Sequence, residues 1–150
     1  MKCVIQRVKN ASVSIKEIEH ASIGYGLLVL VSFEIDDLEV DLDWMATKIV
    51  NLRIMKDKAG MMNLSLKETK GDLLLVSQFT LHASTKKGNR PSFILAAKPT
   101  IALDFYHNFI TRLENGLVKK ISAGVFAADM LVSLQNDGPV TIILDSKNKL

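Results

Sequence analysis

Two short polar clusters carry the residue types in this sequence that could perform chemistry. The first is Ser77, Gln78 and Thr80, which lie where an apolar run passes into a basic, hydroxyl-bearing segment. Such hydroxyl and amide groups can bind a substrate, or they can satisfy hydrogen bonds at the end of a strand. Strand alternation is predicted to put Ser77, Phe79 and Leu81 on one face and Gln78 and Thr80 on the other. The residues alone leave both interpretations open.

The second cluster is the sequence NDGP, residues 136–139. As a plain structural feature it predicts a four-residue hairpin connection, in which Gly138 supplies an unusual φ and Pro139 fixes the exit. The alternative is a cis Gly138–Pro139 bond. Spacing alone does not favour that alternative, because only about 5–6% of X–Pro bonds in folded proteins are cis.

Charge is distributed unevenly along the chain, although the net charge is only +3. No acidic residue occurs between Asp72 and Asp104, whereas Lys86, Lys87 and Arg90 lie inside that stretch. A basic segment without opposing carboxylates favours an anionic partner, and phosphate is the obvious candidate. A solvated loop whose lysines serve solubility is the plain alternative.

Metal and cofactor chemistry are not indicated. The three histidines, His20, His82 and His107, are isolated, with no Cys or His at ligand spacing, so we predict no metal site and no cofactor. Neither common glycine-rich phosphate loop is present, and no G-x-S-x-G motif occurs. Cys3 lies in an apolar run and is interpreted as an inert buried thiol.

Strands and two helices must position these clusters. Apolar patterning predicts strands at residues 3–8, 11–15, 26–33, 71–81, 129–135 and 140–144. A first helix is expected to be capped by Asp36 and to carry the apolar stripe Leu38, Leu42, Met45, Ile49 and Leu52. Much of the acidic run 34–43 is then helix-start chemistry.

The second helix is predicted to begin after Pro99 with Thr100 as its cap, and to stop at Asn115–Gly116. Residues 145–150 are interpreted as a frayed tail. Strands interrupted by two helices, without regular βα alternation, indicate one α+β domain over residues 1–150 with mainly antiparallel sheet. The sequence shows no signal peptide and no long apolar run, so we expect a soluble cytoplasmic protein with no membrane partner.

Together with their surroundings, the two clusters resemble the D-aminoacyl-tRNA deacylase family, historically called D-Tyr-tRNA deacylases. The family's two signature motifs are intact and in order, as SQFTL (77–81) and NDGPVT (136–141). The similarity spans nearly the whole chain and includes VIQRV (4–8), KIVNLRI (48–54), MNLSL (62–66), KKGNRPSF (86–93) and ADM (128–130). The resemblance implies a barrel-like or roll-like arrangement of the sheet.

The resemblance also implies an activity. Members hydrolyse the ester that joins a D-amino acid, or glycine, to the 3′-terminal adenosine of tRNA, and they act as homodimers. By the same resemblance, Ser77, Gln78 and Phe79 would line the pocket that holds the adenosine, with Thr80 close to the scissile ester.

The family's Gly-Pro motif is cis and enters the pocket of the partner subunit. Here it corresponds to Gly138 and Pro139, and Arg7 matches an arginine that helps to hold this loop. Ala127 stands where the family usually has glycine, so a positive φ at this position would be strained.

A mechanism consistent with these residues has three parts. Lys86, Lys87 and Arg90 would bind the phosphates of the tRNA acceptor stem, which explains the absence of carboxylates nearby. The rigid Gly-Pro backbone would exclude L-aminoacyl esters sterically. The 2′-OH of the terminal ribose would assist hydrolysis, while backbone N–H groups near Phe79 and Thr80 receive the developing negative charge.

Two other interpretations belong to different functional classes. A non-catalytic RNA-binding module would use the same basic loop but would give Gly138–Pro139 no role. A structural dimer without a ligand would leave the acid-free segment unexplained.

Overall fold

The structure is a computed structural model that describes residues 1–149. In chain order the elements are β1 (Lys2–Ile15), β2 (Ile18–Ile23), β3 (Gly26–Ser32), α1 (Glu39–Asn51), β4 (Met55–Lys56), β5 (Met62–Leu64), α2 (Leu66–Thr69), β6 (Asp72–Ser77), a 3-10 turn (Phe79–His82), α3 (Pro99–Leu117), β7 (Ser122–Ala123) and β8 (Leu131–Asp145). Long strands with two long helices confirm the predicted α+β class.

The main sheet is nearly closed and barrel-like. Its strand order is β2-β1-β3-β6-β7, and β8 also pairs with β1. The β1–β2, β1–β3 and β1–β8 pairs are antiparallel, whereas β3–β6 and β6–β7 are parallel. β1 is one continuous strand, where the sequence predicted two, and it pairs with β8 over almost its whole length.

Both faces of the central strands are buried, as the continuous apolar run of β3 predicted. Leu27, Val29 and Val31 of β3 lie in a cluster with α1 and α3, whereas Leu28 lies in a second cluster with β1 and β6. The first cluster contains Leu42, Met45 and Ile49 of the predicted α1 stripe, packed with Ala102, Phe109 and Leu113 of α3. Cys3 is fully buried, and this burial raises the pKa of its thiol.

The helix ends differ from the sequence predictions. α1 begins at Glu39 rather than after a cap at Asp36, and its first turn is closed by Asp41, which accepts a hydrogen bond from the Leu38 N–H at 2.9 Å. α3 begins at Pro99, so Thr100 lies inside its first turn and is not the cap. Gly116 does not end α3, which continues to Leu117. A Cβ at Gly116 would lie 3.3 Å from the Val50 side chain of α1. That glycine permits close packing between the two helices.

The predicted hairpin at 136–139 is wrong. Residues 131–145 form the single strand β8, whose register against β1 jumps from Thr141, opposite Gln6, to Asn136, opposite Val8. The intervening residues bulge out of the strand. The bulge is held at its base by Asn136, whose side chain accepts a hydrogen bond from the Val140 N–H at 2.7 Å and donates one to the Val140 carbonyl.

The predicted frayed tail is also wrong within the described residues. Ser146 is buried, and its N–H donates to the Met1 carbonyl at 3.0 Å. Lys147 forms an ion pair with Asp41 at 3.0 Å, and the Lys149 ammonium lies 4.9 Å from the centre of the Trp44 ring. No helix within residues 1–149 is both long enough and apolar enough to cross a lipid bilayer.

Candidate active site at the end of strand β6

A cavity of about 710 Å³ opens where β3 and β6 end side by side. Parallel pairing places Ser77, the last residue of β6, opposite Val31 of β3. The cavity is bounded by Ser32, by Ser77, Gln78 and Phe79, by residues 96–99 before and within α3, and by residues 126–130. Most of this lining is apolar with a few polar groups, which is typical of a pocket that binds a small organic group.

The chain turns sharply at the mouth of this cavity. The Gln78 N–H donates to the Val31 carbonyl at 2.7 Å, and residues 79–82 then form the 3-10 turn. The predicted strand alternation through Leu81 is therefore wrong, because extended structure ends at Ser77. The turn leaves Phe79 and Thr80 exposed, and Phe79 packs edge-on against Phe93 with ring centres 5.0 Å apart.

The four predicted catalytic residues are not all equivalent in position. Ser77, Gln78 and Phe79 line the cavity, whereas Thr80, among the described residues, is not part of the lining. The Thr80 hydroxyl accepts a hydrogen bond from the Gln78 side chain at 2.5 Å. Thr80 is therefore tied to the cavity wall through Gln78.

The Gly138–Pro139 peptide bond is cis, and both residues are exposed on the bulge of β8. Neither residue lines the cavity of its own chain, within residues 1–149. Gly138 has a φ of +146°, and a Cβ there would lie 2.7 Å from the Val140 side chain. Only glycine fits this backbone without displacement of its neighbours.

Arg7 holds the bulge from below. Its buried guanidinium donates to the Asp137 carbonyl at 3.0 Å and to the Ile54 carbonyl at 2.6 Å, and it pairs with the Asp137 carboxylate at 3.2 Å. The Lys56 ammonium, 2.9 Å from the other carboxylate oxygen, holds the pKa of Asp137 below its usual range, and Arg7 adds to this effect. Lys56 was not predicted, because nothing in the local sequence connects residues 81 positions apart.

The three predicted phosphate-binding residues, Lys86, Lys87 and Arg90, are exposed in one loop. The loop is closed at its base by the Ser84–Ser92 bridge, with backbone hydrogen bonds of 2.8 and 2.9 Å. Within residues 1–149, these three side chains form no ion pair with a carboxylate. Their charges are free for an external anion.

Glu34, Asp36 and Asp37 form one acidic cluster, and their carboxylates lie within 4.8 Å of one another. Asp37 is already occupied, since it accepts hydrogen bonds from the Met1 ammonium at 2.5 Å and from the Glu34 N–H at 2.7 Å. Lys147 lies 3.6 Å from the same carboxylate. These contacts join chain segments, which accounts for the cluster without a metal.

Comparison with known proteins finds a matching family and relatives of high sequence identity. The family model described as D-Tyr-tRNA(Tyr) deacylase matches residues 4–145. Proteins named D-aminoacyl-tRNA deacylase from Cytophaga hutchinsonii and Flavobacterium psychrophilum are 59% and 57% identical to this chain, and each match covers 99% of both chains.

Two solved structures are also similar in fold. One, titled c-Myc DNA Unwinding Element Binding Protein, has a TM-score of 0.91 at 40% identity over 97% of this chain and 98% of the other. The other, titled a probable eukaryotic D-amino acid tRNA deacylase, has a TM-score of 0.84 at 15% identity over 95% and 97%, which supports the fold alone. The match over residues 4–145 and the identities above 50% show that this chain belongs to the D-Tyr-tRNA(Tyr) deacylase family.

Proposed function

We propose that this protein hydrolyses the ester of D-aminoacyl-tRNA to free tRNA and the D-amino acid, and that it spares L-aminoacyl-tRNA. The observation that carries the proposal is the apolar cavity bounded by Ser77, Gln78 and Phe79, in a chain of this family, beside an exposed basic loop. The cavity suits the terminal adenosine, and the loop suits the phosphates of the acceptor stem.

The chiral selection is assigned to Gly138 and Pro139 of a partner subunit. Among residues 1–149, the exposed Gly138 and Pro139 do not line the cavity of their own chain, so a homodimer is the arrangement in which they would meet a cavity. Backbone atoms of a rigid bulge test configuration without reading side-chain identity. One charge-assisted hydrogen bond to the substrate's α-amino group is worth about 1.5–3 kcal/mol, so steric exclusion of the L side chain supplies the rest of the selectivity.

Glycine carries no side chain to exclude, so glycyl-tRNA is also a substrate under this proposal. Arg7 and Lys56 contribute indirectly, since their contacts with Asp137 fix the base of the bulge. Metal and cofactor have no part in the proposed reaction.

Hydrolysis is assigned to substrate assistance. The 2′-OH of the terminal ribose lies beside the ester, and holding such a group in place can contribute about 7–11 kcal/mol. The backbone N–H groups of Phe79 and Thr80, in the turn at the cavity mouth, are the proposed donors to the developing oxyanion. The Thr80 hydroxyl is placed close to the ester.

The activity is tested with D-Tyr-tRNA and L-Tyr-tRNA as parallel substrates. We expect the purified protein to release tyrosine from the first and not from the second. A non-catalytic RNA-binding module would bind both without turnover, and a structural dimer would do neither. Deacylation of both esters at equal rates would refute chiral selection while leaving esterase activity.

The chemical step is tested separately. A D-aminoacyl-tRNA that ends in 2′-deoxyadenosine is expected to be cleaved at least a hundredfold more slowly than the normal substrate, since the assisting hydroxyl is absent. Cleavage at the normal rate would rule out substrate assistance. Full activity of Thr80→Ala would show that the Thr80 hydroxyl is dispensable.

A further inference from the structure

A buried serine–histidine pair joins the end of β3 to the turn at the cavity mouth. Ser32 is the last residue of β3 and His82 is the last residue of the 79–82 turn, and each is only 2% exposed. The Ser32 Oγ lies 2.6 Å from the His82 Nδ1. Ser32 lines the cavity, whereas His82, among the described residues, lies outside the lining.

The same serine contacts the backbone of the turn. Its Oγ lies 3.4 Å from the Phe79 carbonyl oxygen. A hydroxyl has one hydrogen to donate, so both contacts of Ser32 are hydrogen bonds when His82 Nδ1–H donates to Oγ and Oγ–H donates to the Phe79 carbonyl. The order of donors is then His82, Ser32, Phe79.

In the described part of the chain, the second ring nitrogen of His82, Nε2, forms no hydrogen bond that would prevent Nδ1–H from donating to Ser32. Its Nε2 is buried and has no hydrogen-bond partner within residues 1–149, and Glu34 Oε2 lies 3.9 Å away. Burial lowers the pKa of His82, so the neutral imidazole is favoured. Because no other residue within 1–149 forms a hydrogen bond with Nε2, the orientation of the ring depends on the Ser32 contact.

The Phe79 carbonyl and the Thr80 N–H belong to one peptide group. A hydrogen bond to the carbonyl fixes the plane of that group and strengthens its N–H as a donor. The proposed function places this N–H beside the developing oxyanion. Resting on that function, we propose that Ser32 and His82 are positioning residues for ester hydrolysis, which act through the Phe79–Thr80 peptide group.

The two residues should therefore affect the rate of the chemical step and not substrate binding. His82 is not part of the cavity lining among the described residues, and Ser32, which is, contacts the backbone of the turn through its Oγ. Complete loss of one oxyanion donor lowers kcat by about 10²–10³. Misorientation of a donor that is still present costs part of that factor, and we expect about ten- to thirtyfold.

The experiment compares Ser32→Ala and His82→Leu with the unaltered protein on D-Tyr-tRNA. Each variant should lower kcat about ten- to thirtyfold and leave KM within about twofold. The double variant should be no slower than either single variant, because both break the same chain of hydrogen bonds. Unchanged kcat in both single variants, or a raised KM with kcat intact, would overturn the inference.

His82→Asn is the matched rescue variant. Asparagine has nearly the shape of leucine but places an amide where Nδ1 stood, so it should recover most of the kcat lost in His82→Leu. If His82→Asn were as slow as His82→Leu, the hydrogen bond would not be the cause. His107→Leu replaces an exposed histidine of α3 and serves as the inert control.

A spectroscopic readout separates this inference from the function on which it rests. The ¹⁵N chemical shift of the Thr80 amide reports hydrogen bonding at the Phe79 carbonyl, and we expect it to move upfield in Ser32→Ala. An unchanged shift would overturn the inference even if His82→Leu failed to fold. Absence of D-Tyr-tRNA hydrolysis by the unaltered protein would instead refute the proposed function, and the amide shift would still report on the hydrogen bonds.

Discussion

At the scale of single residues, Ala127 adopts a backbone conformation that favours glycine. Its φ is +61°, the left-handed region, and it lies in the cavity wall between Phe126 and Ala128. The sequence predicted strain there if φ were positive, and that condition is met. A non-glycine residue in this region costs roughly 1–2 kcal/mol.

We expect Ala127→Gly to raise the free energy of unfolding by about 0.5–1 kcal/mol, since the relief of strain exceeds the added entropy of the unfolded chain. Urea denaturation followed by circular dichroism measures the change. Ala128→Gly is the control, because Ala128 is not among the positive-φ residues, and it should not stabilise the protein. A lower urea midpoint for Ala127→Gly would contradict the strain.

At the scale of elements, the strands could be predicted well and the ends of elements could not. Continuous apolar runs identified β3 and β6, because burial on both faces leaves a plain signal in composition. The cap of α1 was assigned to Asp36, but the carboxylate that closes the first turn belongs to Asp41. Several acids lie in reach of this turn, and only tertiary contacts, here with Lys147, choose among them.

Asp41 also gives a prediction about acid stability. Burial alone would raise the pKa of its carboxyl, but the Leu38 N–H and the Lys147 ammonium outweigh it and lower the pKa to about 2. A lowered carboxyl pKa stabilises the fold above the ordinary value, and this contribution disappears as the pH falls towards 2. Asp41→Asn should therefore cost about 1–2 kcal/mol at pH 6, less than the full shift because solvent screens part of it.

The stability gap between Asp41→Asn and the unaltered protein should narrow as the pH falls from about 4 to 2. Urea midpoints across this range measure it. Asp36→Asn, which removes the exposed carboxylate predicted from the sequence as the cap, is the control and should change stability by less than about 0.5 kcal/mol. A gap that stayed constant down to pH 2 would contradict the role of the Asp41 charge.

The candidate site likewise contains residues that the sequence could predict and residues that only the structure brings together. Ser77, Gln78, Phe79, Gly138 and Pro139 could be predicted as site residues because each belongs to a short contiguous motif. Ser32, His82 and Lys56 were not predicted from the sequence, because the contacts that bring them to the site join positions 47 or more residues apart. The bulge of β8 was mistaken for a hairpin, because a turn-forming sequence does not reveal whether its flanking strands pair with each other or with a third strand.

At the scale of the whole molecule, the basic loop and the cavity mouth lie on the same stretch of chain, residues 77–93, and this favours one continuous tRNA-binding surface. Replacement of Lys86, Lys87 and Arg90 by glutamine should raise KM for D-Tyr-tRNA and leave kcat nearly unchanged. The slope of log KM against log salt concentration should fall by about 2–3, roughly one for each lost phosphate contact.

Lys67→Gln, which removes an exposed charge on α2, is the matched control for this salt dependence and should leave the slope nearly unaltered. Steady-state kinetics between 50 and 300 mM salt give both slopes. If the triple variant kept the original slope, the loop would not contact phosphate.

The proposed exchange of the β8 bulge between subunits is tested by mixing two inactive variants. Gly138→Ala would disturb the bulge, since its Cβ would lie 2.7 Å from the Val140 side chain, whereas Phe79→Ala would disturb the cavity. A mixed dimer contains one intact cavity facing one intact bulge. Refolding an equal mixture should therefore restore about one quarter of the original activity on D-Tyr-tRNA.

Each variant refolded alone is the control and should stay inactive. No recovery in the mixture, with dimers present by light scattering, would mean that bulge and cavity do not come from different subunits. Recovery well above one quarter would also contradict the arrangement.

The pairing of β1 with β8 has a consequence for folding during synthesis on the ribosome. Lys2 pairs with Asp145, so one long edge of β1 stays uncovered until β8 has been synthesised. Contacts so distant in sequence slow folding and leave an open strand edge in the meantime. Nascent chains stalled before residue 131 should therefore depend on chaperones, whereas chains that extend through Asp145 can pair β8 with the whole edge of β1.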